Sequence, residues 1–99
     1  MINKKFCFGN CEYEVVRDYK EAFKENVVLE KITDYFEPFD YILGDYSYDV
    51  LRLKGFYDST KEECRQMNDI SSLDYYIENY CAYQCRYFLL KKIKSLKNS

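Results

Sequence analysis

The chain has 99 residues, of which 47% are hydrophobic, 32% are charged and 19% are aromatic. This composition supports one hydrophobic core and excludes a disordered chain. No apolar run exceeds four residues, so the sequence predicts neither a signal peptide nor a membrane-spanning helix. Five cysteines in such a chain favour reduced thiols in the cytoplasm. We therefore expect one cytoplasmic domain over residues 1–99, without membrane association.

The charges are distributed unevenly along the chain. The net charge is −2, but Glu78 is the last acid, so residues 79–99 carry +5 and residues 1–78 carry −7. A basic C-terminal segment can attract an anionic partner, and it is also typical of a solvated tail that keeps a small protein soluble. We expect residues 94–99 to form a frayed basic tail.

Hydrophobic periodicity predicts the following elements in chain order. A strand spans residues 12–18, after the turn signal at Gly9 and Asn10. A helix spans residues 26–36; Asn26 caps its start, and Pro38 prevents it from continuing. Strands at 39–43 and 48–54 are joined by a tight turn at Gly44 and Asp45. A polar edge strand at 62–68, a helix at 72–81 capped by Ser71 or Ser72, and a strand at 83–93 complete the domain.

These elements predict an α+β fold in the order β-α-β-β-(β)-α-β, with two helices on a mainly antiparallel sheet of four to five strands. The order is that of ferredoxin-like domains, and Lys54-Gly55-Phe56 then occupies the strand that carries the RNA recognition motif signature. The next positions are Tyr57 and Asp58, where that signature has a small residue and a second aromatic ring. An acid cannot stack on a base, which argues against this motif.

Three stretches of the sequence resemble the YutD-like family of small proteins of low-GC Gram-positive bacteria. They are residues 13–23, residues 39–46 running on into Leu-Arg-Leu-Lys-Gly-Phe at 51–56, and residues 73–91. Tyr46 stands where the family usually has Trp, and Ala82 and Gln84 stand where it has Asn and Gly. The resemblance implies a shared fold and a cytosolic setting, but no particular mechanism.

The sequence contains no histidine, which removes the Ser-His-Asp and Cys-His constellations and the commonest metal ligand. We find no catalytic residues, expect no cofactor, and favour a protein that is not an enzyme. Two Cys-x3-Cys pairs offer a zinc alternative, with Cys7, Cys11, Cys81 and Cys85 as ligands. Buried, inert thiols are the favoured interpretation, because Cys85 follows the alternating pattern of the last strand.

A candidate binding face runs along the strand that follows Gly44. Alternation places Asp49, Leu51 and Leu53 on one face and Tyr46, Tyr48, Val50, Arg52 and Lys54 on the other. Gly44, Asp45 and Gly55 are assigned structural or turn roles. The candidate binding residues are Tyr46, Tyr48, Arg52, Lys54, Phe56, Lys91 and Lys92.

Rings beside cations suit either an acidic or aromatic protein surface or a single strand of RNA. The alternative is a half-covered sheet face on which the cations pair with neighbouring acids. The overall acidity favours a protein partner over RNA. The sequence sets no oligomeric state.

Overall fold

A five-stranded sheet with two α-helices is the framework of the protein. The structure, a computed structural model, describes residues 4–62, 64–80 and 85–95. The strands are β1 (Lys5–Phe8), β2 (Cys11–Tyr19), β3 (Tyr41–Ser47), β4 (Val50–Phe56) and β5 (Tyr87–Ser95); the helices are α1 (Glu25–Lys31) and α2 (Leu73–Tyr80). Short 3-10 helices lie at Asp34–Phe36, Gln66–Asn68 and Ile70–Ser72. The predicted α+β class is confirmed.

The strands lie in the order β1-β2-β5-β3-β4, and every pairing between them is antiparallel. Because β5 enters between β2 and β3, the strands on either side of α1 are not neighbours. β2 and β3 run parallel to each other with the antiparallel β5 between them. The last strand of a ferredoxin-like domain lies at an edge of the sheet instead, so the ferredoxin-like arrangement suggested by the element order is wrong.

Each face of the sheet carries its own hydrophobic cluster. On the face that we call the α1 face, Tyr13, Ile42 and Phe88 pack with Val28 of α1. On the opposite α2 face, a smaller cluster joins Leu43, Phe56 and Leu89 to Leu73 at the start of α2. No helix within the described ranges is long and apolar enough to cross a membrane.

The turn between β3 and β4 lies four residues after its predicted position. Gly44 and Asp45 are in the middle of β3, and the reversal occurs at Tyr48 and Asp49, both of which have positive φ. Gly44 is required by packing, because a Cβ there would overlap the ring of Phe88. The prediction of Gly44 and Asp45 as turn residues is therefore wrong.

Gly55 is also needed for packing rather than for a turn. A Cβ at this position would overlap the ring of Phe39, which lies over β4. Both of these strand glycines therefore admit an aromatic ring close to the sheet.

Four further predictions need correction. The first helix begins after Lys24 rather than Asn26 and ends at Lys31, although a 3-10 turn continues to Phe36. Segment 62–68 forms no strand in its described part, where the only pairing nearby is a bridge from Tyr57 to Asp69.

The remaining corrections concern the ends of elements. Ser71 and Ser72 lie in a 3-10 helix that runs directly into α2, and the side chain of Asp69 caps that 3-10 helix. The strand β1, which pairs with β2, was not predicted. Lys94 and Ser95 belong to β5, so the tail predicted at 94–99 is wrong for these two residues, and residues 96–99 lie outside the described part.

Candidate functional site

The tip of the β3–β4 hairpin presents a fully exposed tyrosine. The backbone φ angles are 52° at Tyr48 and 65° at Asp49, which is the left-handed pair of a type I′ turn. The side chain of Tyr48 is 99% exposed, and the neighbouring Val50 is 56% exposed. The tip therefore offers apolar surface that no other part of the described chain covers.

Tyr46 lies on the α1 face, opposite to the α2 face on which Arg52 and Lys54 lie. It pairs with Leu51 across the hairpin, and its hydroxyl donates a hydrogen bond to the carbonyl of Ala22 at 3.1 Å. The guanidinium of Arg86 lies 4.2 Å from the centre of its ring. The prediction that Tyr46 shares a face with Arg52 is wrong, because the chain reverses between these two residues.

Asp45 and Arg52 form an ion pair across β3 and β4 on the α2 face. The carboxylate is buried, and the guanidinium is half exposed. A buried carboxylate needs a charged or hydrogen-bonding partner, so one function of Arg52 is to neutralise Asp45. The alternative in which cations of this strand pair with neighbouring acids therefore holds for Arg52.

Lys54 lies beneath α2 against two aromatic rings. Its Nζ atom is 5.0 Å from the ring centre of Phe56 and 5.3 Å from that of Tyr76. Burial lowers the pKa of Lys54 below its ordinary value, because the charged form loses hydration. Phe56 itself is completely buried, so it supports Lys54 from below and offers no surface to a partner.

The two C-terminal lysines of the predicted site lie on opposite faces of the sheet. Lys91 lies beside Glu14 of β2 and Tyr41 of β3 on the α2 face. Lys92 pairs with Tyr13 on the opposite face, and its Nζ donates a hydrogen bond to the carbonyl of Glu37 at 2.7 Å. The four cations among the candidate binding residues therefore do not all share a face.

The four-cysteine zinc alternative conflicts with the sheet register. Cys11 pairs with Ser95 at one end of β5, and Cys85 precedes Tyr87 at the other end. Nine strand residues at roughly 3.3 Å each separate these thiols by about 30 Å. Cys81 lies outside the described residues, and Cys7 is exposed on β1. Among described residues, no group of His, Cys, Asp or Glu is arranged to hold a metal ion.

A groove beside α2 is the feature that the sequence patterns missed. It has a volume of about 390 Å³ and is lined by Gln66, Met67, Ser72, Tyr75, Tyr76 and Tyr80. The rings of Tyr76 and Tyr80 stack at 5.1 Å, while Met67, Tyr75 and Tyr80 are each more than half exposed. One residue could have indicated the groove from the sequence. Tyr75 lies outside the predicted apolar face of the second helix, so helical periodicity leaves its ring exposed.

A row of β4 side chains connects the hairpin tip to this groove. Val50, Arg52 and Lys54 alternate onto the α2 face, so successive members lie roughly 6.6 Å apart. Lys54 then contacts Tyr76 in the groove wall. We call this row, together with Tyr48 and the six groove residues, the β4–α2 surface.

Comparisons with known proteins agree with this fold. The family model described as "Putative antitoxin YutD-like" matches residues 7–91. The protein "Putative antitoxin YutD" of Bacillus subtilis (strain 168) is 41% identical over 85 residues, which is 86% of this chain and 93% of the relative. The solution NMR structure of protein yutD from B. subtilis superimposes with a TM-score of 0.77 at 38% identity, covering 96% of this chain and 86% of that one. The chain therefore belongs to the YutD-like family.

Proposed function

We propose that this protein is a cytosolic interaction module, one domain over residues 1–99, that binds a protein partner through the β4–α2 surface. The observation that carries the proposal is the complete exposure of Tyr48 in a left-handed turn. The relative from B. subtilis is described as a putative antitoxin. By analogy, the partner that we propose is a toxin protein.

Tyr48 is an unfavourable choice for folding alone. Type I′ turns favour Asn and Gly, because other L-residues are strained by positive φ. A fully exposed ring also contributes no buried area to the core. Backbone strain that persists without a packing benefit is typical of functional positions, so we infer that Tyr48 is retained for contact with a partner.

The rest of the surface has the composition of a protein interface. Tyrosine, methionine and arginine are enriched at such interfaces, and Met67, Tyr75, Tyr80 and Arg52 are all exposed here. A few aromatic anchors usually supply most of the binding free energy. Tyr48 at the tip and the tyrosines of the groove are such aromatic residues, and a single partner could contact both.

RNA association is less well supported by the arrangement of cations. Arg52 is paired with Asp45, and Lys92 faces away from Lys54 and Lys91. A track of phosphates requires cations that follow one groove. RNA binding is therefore the alternative outcome of the test.

The test is affinity capture of partners from a native cytosolic extract, with and without ribonuclease. We expect a captured protein to survive ribonuclease and to be lost with Tyr48→Ala, because removal of a hot-spot ring weakens binding by ~2 kcal/mol, or about 30-fold. The control is Tyr35→Ala, which removes another exposed tyrosine, one that lies beside Phe36 of the α1-face cluster. Equal capture by Tyr48→Ala, or loss of capture after ribonuclease, would contradict the proposal.

A further inference from the structure

We propose that the α2 groove and Lys54 form a two-part site for an acidic, apolar segment of the partner protein. A large apolar side chain of the segment enters the groove, and a neighbouring carboxylate binds the Lys54 ammonium. This inference rests on the proposed function, since it specifies which chemistry of a protein partner the surface recognises.

The groove has the size and lining for a side-chain anchor. Its volume of about 390 Å³ exceeds that of any single side chain, and its walls combine stacked tyrosine rings with the flexible side chain of Met67. Aromatic and methionine walls adapt to apolar groups, while Gln66 and Ser72 add polar atoms at the margin. An aromatic or branched aliphatic side chain fits this lining.

Lys54 supplies a cation beside the groove that lacks a charged partner within the described chain. Every ion pair found among the described residues joins other groups. Its Nζ lies over the rings of Phe56 and Tyr76, which compensate only part of the lost hydration. The lowered pKa of Lys54 agrees with this geometry. A carboxylate from a partner would supply the missing opposite charge.

The cations beside the groove favour an acidic segment over a basic one. Arg52 is the neighbour of Lys54 on the same face of β4. Arg65 directly precedes the groove residue Gln66 in the sequence. The acid nearest to Arg52 is the buried Asp45, which is already paired. On α2, Asp74 turns toward β2 and binds Arg17 at 2.9 Å, and Glu78, one helical turn later, lies on that same side.

The geometry also limits the spacing of the segment. Lys54 Nζ lies 5.3 Å from the centre of the Tyr76 ring in the groove wall. Residues three or four apart on a helix, or two apart in an extended chain, are separated by a comparable distance of about 5–7 Å. A carboxylate at one of these spacings from the apolar anchor can reach Lys54 while the anchor occupies the groove.

A peptide titration followed by amide NMR tests the site with the intact protein. The probes are acetylated and amidated tripeptides, Phe-Ala-Asp and its Asn and Lys counterparts, each added to about 10 mM, where a ligand with a Kd of 1 mM approaches saturation. We expect saturable shifts at Met67, Tyr75 and Tyr76 with the acidic peptide, and at least fivefold weaker binding of the other two. Lys54→Gln should abolish the preference, and Lys54→Arg should retain it.

Four results would overturn this inference: no saturable shift at the groove, equal binding of the Lys peptide, an unchanged preference in Lys54→Gln, or identical shifts with sodium phosphate alone. Met67→Ala provides a control for the apolar part, because it should weaken the Asp and Asn peptides alike. If the peptides fail while Tyr48→Ala still abolishes capture of a protein, the proposed function stands without this site. If capture is independent of Tyr48 while the peptides bind, the proposed function is contradicted and the peptide site stands without it.

Discussion

Replacing the β3–β4 turn should stabilise the fold while removing a binding residue. In the double variant Tyr48→Asn/Asp49→Gly, both positive φ angles are taken by residues that adopt them readily. A left-handed conformation costs ~1–2 kcal/mol for an ordinary L-residue such as Tyr48, and less for Asp49, because a short polar side chain can hydrogen-bond locally. The glycine introduced at position 49 offsets part of this gain, because it loses ~0.5–1 kcal/mol more conformational entropy on folding. The net expected gain is about 1.5 kcal/mol.

Thermal unfolding gives the readout for this variant. For a domain of this size, 1 kcal/mol shifts the midpoint by about 4–8 °C, so we expect a rise of roughly 6–12 °C. The ring of Tyr48 makes no contact that could offset this gain, since it is 99% exposed. An unchanged or lower midpoint would refute the reasoning, because Tyr48 would then stabilise the native state. Capture of the protein partner should be lost in the same variant.

Two further substitutions test the packing and the loop network. Gly44→Ala should destabilise the protein by ~3 kcal/mol, because the added methyl overlaps the buried ring of Phe88; urea unfolding measures the loss, and Phe88→Leu in the same chain should recover part of it. Asp69 accepts hydrogen bonds from Ser59 and from the Ser71 amide, which lower its pKa. Its stabilising effect is present above the unfolded pKa near 4 and is lost as the pH falls through the lower folded pKa. The difference in stability between the wild type and Asp69→Asn should therefore be larger at neutral pH than in acid, and a constant difference would contradict this.

The fold class could be predicted because its signals are local. The alternation in β2 and the helical spacing from Leu73 to Tyr80 are set by the side chains of each element, and both elements were placed correctly within a few residues. The position of the β3–β4 turn depends on distant residues. Gly44 and Asp45 have the composition of a turn, but the ring of Phe88 from β5 requires Gly44 within a strand.

The candidate site depended on that turn, and its prediction changed accordingly. Moving the reversal from Gly44 to Tyr48 sends Tyr46 to the α1 face and leaves Val50, Arg52 and Lys54 on the other. The placement of these three side chains on one face was therefore predicted correctly, while their role in binding stays a prediction. The groove could not be predicted from periodicity, because its walls come from α2 and from a 3-10 segment at Gln66–Asn68 that has no repeating pattern.

The three glycines of the chain do not by themselves explain why a tyrosine occupies the strained turn. Gly9 has a φ of +58° in the β1–β2 turn, while Gly44 and Gly55 lie under aromatic rings within the sheet. Packing and conformation therefore fix all three positions, and the β3–β4 turn has none of them. Asparagine would relieve the strain at Tyr48 without any glycine, so scarcity of glycine alone does not account for the tyrosine. We therefore propose that contact with a partner retains the tyrosine, which links the strain in this turn to the proposed function.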